Sequence, residues 1–179
     1  MKKILLVFMI GLLALSCEKD DICDANTPTT PRLIIKFYDN QNPASVRLVK
    51  DLRITSIVDG VEKAIIFEKS NTEILNDSMV ALPLKVNENL TDYKFTFNSK
   101  SEIQSLISID DLTFNYTRKD EFVSRACGFK TLFEMNASNQ NPIIINETPG
   151  ITAGNWIKGV QITQPKIYNE NETHIKIYF

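Results

Sequence analysis

The chain has little of what most catalytic sites are built from. Its 179 residues include one histidine, His174, one tryptophan, Trp156, three cysteines and six glycines. Three scattered cysteines and one histidine fall short of the ligand count and close spacing of a zinc site. None of the glycines lies in a G-x-G-x-x-G or G-x-x-x-x-G-K run, so no backbone cradle for a phosphate is encoded. No serine stands in a G-x-S-x-G elbow. Asp110 and Asp111 are adjacent carboxylates in a strand-like stretch, where neighbours point to opposite faces, and so make a poor acid–base pair. No D-x-D-x-D-G loop supports a calcium site. These absences point away from an enzyme, and no metal or cofactor is implied.

Excess charge of one sign and long apolar runs are also missing. Twenty basic residues stand against 22 acidic ones with no basic block, which argues against nucleic acid or anionic lipid as a partner. The apolar run from Ile4 to Ser16 is thirteen residues long, short of the ~20 a membrane-spanning helix needs. Lys2 and Lys3 before it and small residues after it read as a secretory signal peptide. Ala14-Leu15-Ser16-Cys17 resembles a bacterial lipobox, although Ala14 occupies the position where Leu is preferred. The expectation is cleavage before Cys17 and acylation of that cysteine, palmitate included, rather than an ordinary signal peptide with a plain thiol. Residues 1–16 are then a discarded leader, 17–31 a lipidated acidic tether and 32–179 the folded domain. Glu18-Lys19-Asp20-Asp21 resembles the lipoprotein export signal of Bacteroidota, which places such proteins on the outer face of the outer membrane. Its alternative is an ordinary solvated charge cluster.

With Cys17 acylated, Cys23 and Cys127 remain as an even pair in an oxidising compartment. A disulfide is favoured over two separate thiols, and would close a loop of about 100 residues. Cys23 lies six residues after Cys17, a reach of only ~20 Å. Stapled there, the domain would sit close to the membrane. Unstapled, DANTPTTP would act as a longer, semi-extended tether.

From Arg32 onward the dominant period is two. RLIIKFYD alternates as a strand. LRITSIV-DG-VEKAIIF predicts a hairpin, with Asp59-Gly60 supplying the positive φ angles of a two-residue turn. MVALPLKV predicts a strand demoted to an edge by Pro83. In YKFTFN, Tyr93, Phe95 and Phe97 share one face. LTFNYTRKDEFVSRACGF predicts a second hairpin turning near Lys119-Asp120, with Leu112, Phe114 and Tyr116 on its buried side. KTLFEM, PIIIN, IKGVQIT and HIKIYF give further strands between Asn-, Pro- and Gly-containing turns. Ser101-Glu102-Ile103-Gln104 is the lone hint of a helix start, as a capping box. About nine short strands with few helix signals predict an all-β, single antiparallel β-sandwich of immunoglobulin-like type.

The remaining candidates are single residues. Trp156, in GITAGNWIKG, reads first as a cap on the end of the core, and otherwise as an exposed ring for sugar stacking or a protein contact. His174 alternates with Ile175 and Ile177 and is expected to face solvent with Lys176 and Tyr178. Asp77-Ser78-Met79 resembles the acceptor of Bacteroidota O-glycosylation, which makes Ser78 a candidate glycosylation site.

Four stretches, CEKDDIC, TPTTPRLIIKFYD, YTRKDEFVSRACGFKTLFE and NENETHIKIYF, together resemble an uncharacterised family of Bacteroidota lipoproteins known as a domain of unknown function. The resemblance implies an outer-membrane lipoprotein that keeps both later cysteines and has no established enzymatic activity. The expected function is a surface-exposed, lipid-anchored, non-catalytic binding or accessory role beside an outer-membrane β-barrel complex for assembly, secretion or uptake. A glycan-binding or adhesive module using Trp156 is the alternative.

Overall fold

The structure is a computed structural model that describes residues 22–25, 27, 29–67, 70–135, 141–148 and 153–179. Cys17 and the Glu18-Lys19-Asp20-Asp21 stretch lie outside the described residues. Two compact units are present: residues 30–119 with 131–179, and residues 120–130 with the chain up to Thr29.

The larger unit is an all-β, sandwich-like fold. The described residues form thirteen strands rather than the expected nine: β1 (Leu33–Tyr38), β2 (Val49–Val58), β3 (Val61–Ala64), β4 (Ile74–Asp77), β5 (Met79–Leu82), β6 (Leu90–Phe97), β7 (Ser108–Asn115), β8 (Thr117–Ser124), β9 (Gly128–Glu134), β10 (Ile143–Ile145), β11 (Gly159–Ile162), β12 (Lys166–Ile167) and β13 (Ile175–Tyr178). The additional strands are two to four residues long, too short to show an alternating period in sequence. The sheets run β11-β13-β1-β5, β10-β7-β6-β2-β3 with β4 also on β2, and β12-β9-β8. One contiguous core draws on all three, with Phe37, Phe95, Phe114 and Phe133 fully buried. The pairing is antiparallel except between β1 and β13, which run parallel from Ile35–Ile175 to Tyr38–Tyr178. Strands so far apart in sequence need no tight turn, so either direction is open to them.

Several expected elements form as predicted. Val58 pairs with Val61 around Asp59 and Gly60, whose φ angles are 54° and 75°. The strand before Pro83 ends at Leu82 and lies on a sheet edge. Tyr93 and Phe95 are buried and Phe97 is half-buried.

Two expectations are corrected. The chain does not turn at Lys119-Asp120, which lie inside β8; the turn falls at 125–127, and Gly128 follows with φ 70°. Thr117 to Phe122 are exposed, so neither face imposes a burial pattern that would mark the strand. The capping box does not form: Ser101 Oγ accepts from Ile103 N–H two residues on, and only a three-residue 3₁₀ turn, Gln104–Leu106, follows. No helix among the described residues is long and apolar enough to cross a membrane.

In the smaller unit Cys23 and Cys127 form a disulfide with Cα atoms 5.0 Å apart. Cys127 sits in the tight turn between β8 and β9, where its N–H donates to Ser124 Oγ at 3.0 Å. The bond spans 104 residues, so in the chain-entropy picture it stabilises the fold by roughly 4–5 kcal/mol. Reduction of the protein and Cys127→Ser should lower the denaturation free energy by the same amount. Chemical denaturation with and without reductant checks this, and equal midpoints would contradict it.

Candidate functional site

Among the described residues of the sandwich unit, one side holds a groove of about 950 Å³. It forms where the chain changes sheets. β4 pairs with β2, β5 pairs with β1, and only Ser78 separates them. Ile34, Ile65, Phe67, Leu75, Val80 and Pro83 give the groove an apolar lining. Ile66 and Met79 line it too and are 61% and 39% exposed, a large uncovered apolar area for two side chains.

The groove also runs along a strand edge. In β1, Ile34 directs both its N–H and its C=O towards His174, while Phe37 N–H bonds to Ser78 C=O. Odd-numbered residues of β1 therefore face β5, and Ser78, Val80 and Leu82 complete those bonds. Met79 and Ala81 turn their N–H and C=O groups to the outer edge, where β5 has no neighbouring strand among the described residues.

The rim carries one forked ion pair. Arg32 donates from Nε and Nη2 to Glu170 at 2.9 and 2.8 Å, and its backbone N–H adds a third bond at 3.0 Å. Those hydrogen bonds hold the Glu170 carboxyl below the usual carboxylate range. Chemically the groove offers apolar walls, a strand edge and a guanidinium–carboxylate clasp. It suits an extended or apolar ligand better than a reacting one. No three described His, Cys, Asp or Glu side chains cluster to hold a metal ion.

The structure places the sequence candidates apart from one another. Ser78 is half-buried at the sheet change, and its N–H donates to Asp77 Oδ1 at 2.6 Å. Trp156 is 6% exposed. It stacks on Phe97 with centroids 5.1 Å apart, meets Phe179 edge-on at 5.6 Å, and donates from Nε1 to Phe95 C=O. It is a core residue, so the exposed ring required for sugar stacking is not there.

His174 is corrected outright, being 1% exposed rather than solvent-facing. It stands just before β13, at the point where the parallel pairing starts. There the Ile34 N–H needs an acceptor, and His174 Nδ1 provides it at 2.9 Å. The proton therefore sits on Nε2, which is buried without a hydrogen-bond partner.

Sequence reasoning missed the anchoring role of Asp110. Its side chain is wholly buried. Oδ1 accepts from Asn155 N–H at 2.6 Å and Asn146 Nδ2 at 2.8 Å, and Oδ2 accepts from the N–H groups of Trp156 and Ile157 at 3.0 Å. A signal was available, because Asp110 is in phase with the buried Leu112 and Phe114 of its strand. Gly154 is required beside it, since a Cβ there would lie 2.2 Å from Asp110 Oδ1.

Fold and site together define an all-β, sandwich-like domain with an edge-strand groove. Residues 51–179 match the family of unknown function DUF6452, and the chain belongs to that family. The match includes Cys127 but begins after Cys23. No curated protein and no solved structure matches the chain.

Two predictions follow from these buried groups. Asp110→Ala leaves two or three buried N–H groups without an acceptor, at about 1–3 kcal/mol each. It and Gly154→Ala should both lower the denaturation midpoint and red-shift Trp156 emission. An unchanged midpoint and spectrum would show that the carboxylate anchors nothing. Burial pushes the His174 imidazole below its ordinary 6.5, against the opposing pull of the Glu172 and Glu170 carboxylates. The unfolded chain therefore takes up this proton first. The contribution is complete above the unfolded pKa and is lost as pH falls through it, with a slope of at most ~1.4 kcal/mol per pH unit. Glu170, held down in the fold, acts only as pH drops below 4.5. Stability measured from about pH 7.5 to about 5.5 should fall, and His174→Asn, which keeps an acceptor near Nδ1, should flatten that slope.

Proposed function

We propose that this chain is a surface-exposed outer-membrane lipoprotein of Bacteroidota. In this reading it is acylated at Cys17, exported by the Glu18–Asp21 signal, and serves as a non-catalytic binding or accessory subunit of an outer-membrane β-barrel complex for assembly, secretion or uptake. The observation that supports it best is the Cys23–Cys127 disulfide. It staples the chain six residues beyond the acylated cysteine, so the hairpin turn carrying Cys127 stays within ~20 Å plus one disulfide of the lipid. A protein held this closely works beside neighbours in the same membrane rather than at a distance. Two or three acyl chains give a durable attachment, at ~0.8 kcal/mol per buried methylene.

The groove beside β5 is where we place the partner contact. Its apolar walls and open strand edge suit an extended segment of a barrel protein or of its substrate, by the strand-addition mode. Cys17→Ala should abolish incorporation of a clickable palmitate analogue and release the protein from the outer-membrane fraction. Added protease should cleave the wild-type protein on intact cells. Isolation in mild detergent should recover a barrel protein, and Ile66→Asp with Met79→Lys should reduce that recovery at least about tenfold without loss of fold, since both side chains are exposed. Recovery free of any barrel protein would overturn the partner, and protection from protease would overturn the surface location.

A further inference from the structure

The described part of the smaller unit exposes several large apolar side chains. Phe122 of β8 and Phe129 of β9 are 57% and 69% exposed. They face each other across the hairpin edge-on, with centroids 5.4 Å apart. Their neighbours Glu121 and Lys130 form an ion pair at 3.0 Å. Successive strand residues point to opposite faces, so this end of the hairpin has one aromatic face and one ion-paired face. Ile22, next to the disulfide cysteine in the same unit, is 83% exposed.

We propose that this aromatic face is a membrane-contact site, and that Phe122 and Phe129 enter the interfacial layer of the bilayer that holds the Cys17 lipid. The inference rests on the lipid-anchor reading above. The length of chain supplies the reason for a bilayer as occupant. Six residues separate Cys17 from Cys23, and Cys23 is bonded to Cys127, one residue from the start of β9. The two rings are thus tethered within a few tens of ångströms of the acyl chains.

Charge agrees with this occupant. The described part of the unit carries three acids, Asp24, Asp120 and Glu121, against two bases, Arg125 and Lys130. It is not a polybasic patch, so attraction comes from apolar burial and not from anionic headgroups. Lipid acts as the first attachment and the aromatic pair as a second. The pair is too small to hold the protein alone but large enough to fix how the hairpin meets the surface.

The test uses full-length acylated protein reconstituted into phosphatidylcholine vesicles, with lipids brominated near the top of the acyl chains as quenchers. Trp156 is buried against Phe97, so wild-type emission should change little. Phe129→Trp, and separately Phe122→Trp, should each add an emission that the brominated lipid quenches by roughly half, unaltered by high salt. Flotation of the same vesicles reads the anchor independently. Flotation with unquenched indoles in both variants overturns the membrane contact and leaves the anchor standing, as expected if the face meets water or another protein. Failure to float overturns the anchor, and the inference with it.

Discussion

The Asp110 carboxylate is the point from which the end of the sandwich is organised. A carboxylate taken fully out of water costs several kcal/mol. Here the cost is met by four donors, three of them successive backbone N–H groups at 155–157. Those bonds bend the chain so that Trp156 turns inward onto Phe97, with Phe179 against its edge and Phe37 against Phe179 in turn. Asn146 reads the same strand from the other side, exchanging bonds with the Asp111 backbone while touching Asp110. One charge thus fixes the loop before β11, the turn after β10 and the packing of four aromatic rings.

Strands with one buried face were legible from their period of two, and so was the Asp59-Gly60 turn, whose residue types match its dihedral angles. Strands exposed on both faces left no such mark, which is why β8 runs straight through the expected turn at Lys119-Asp120. His174 shows a different limit. Alternation assigns a face to a residue inside a strand, but His174 lies just outside one and is drawn inward by an unpaired N–H of a strand 140 residues away. No local pattern carries that information. The groove was equally invisible, because it is made by a change of sheet at Ser78 and by an edge left open. The Cys23–Cys127 bond could be inferred by pairing once Cys17 was set aside, since its evidence is chemical rather than periodic.

The two units divide the labour of the chain. The sandwich unit clasps Arg32 and Glu170 at a rim, encloses His174, and buries Asp110 among four donors. Among the described residues, the Cys23–Cys127 unit contributes nothing to the buried core and is closed by a covalent bond. The family match over residues 51–179 therefore covers most of the sandwich and one end of that bond, and leaves out β1.

The parallel pairing of β1 with β13 has a consequence for how the chain acquires its shape. These two strands are the middle of their sheet, flanked by β5 and β11. Neither half of the chain can assemble that sheet alone, and contacts spanning this many residues form late and slowly. A chain lacking β13 leaves β1, with its three fully buried residues Leu33, Ile35 and Phe37, short of a neighbour. β1 therefore waits for β13, and the middle of this sheet closes only once both strands are available.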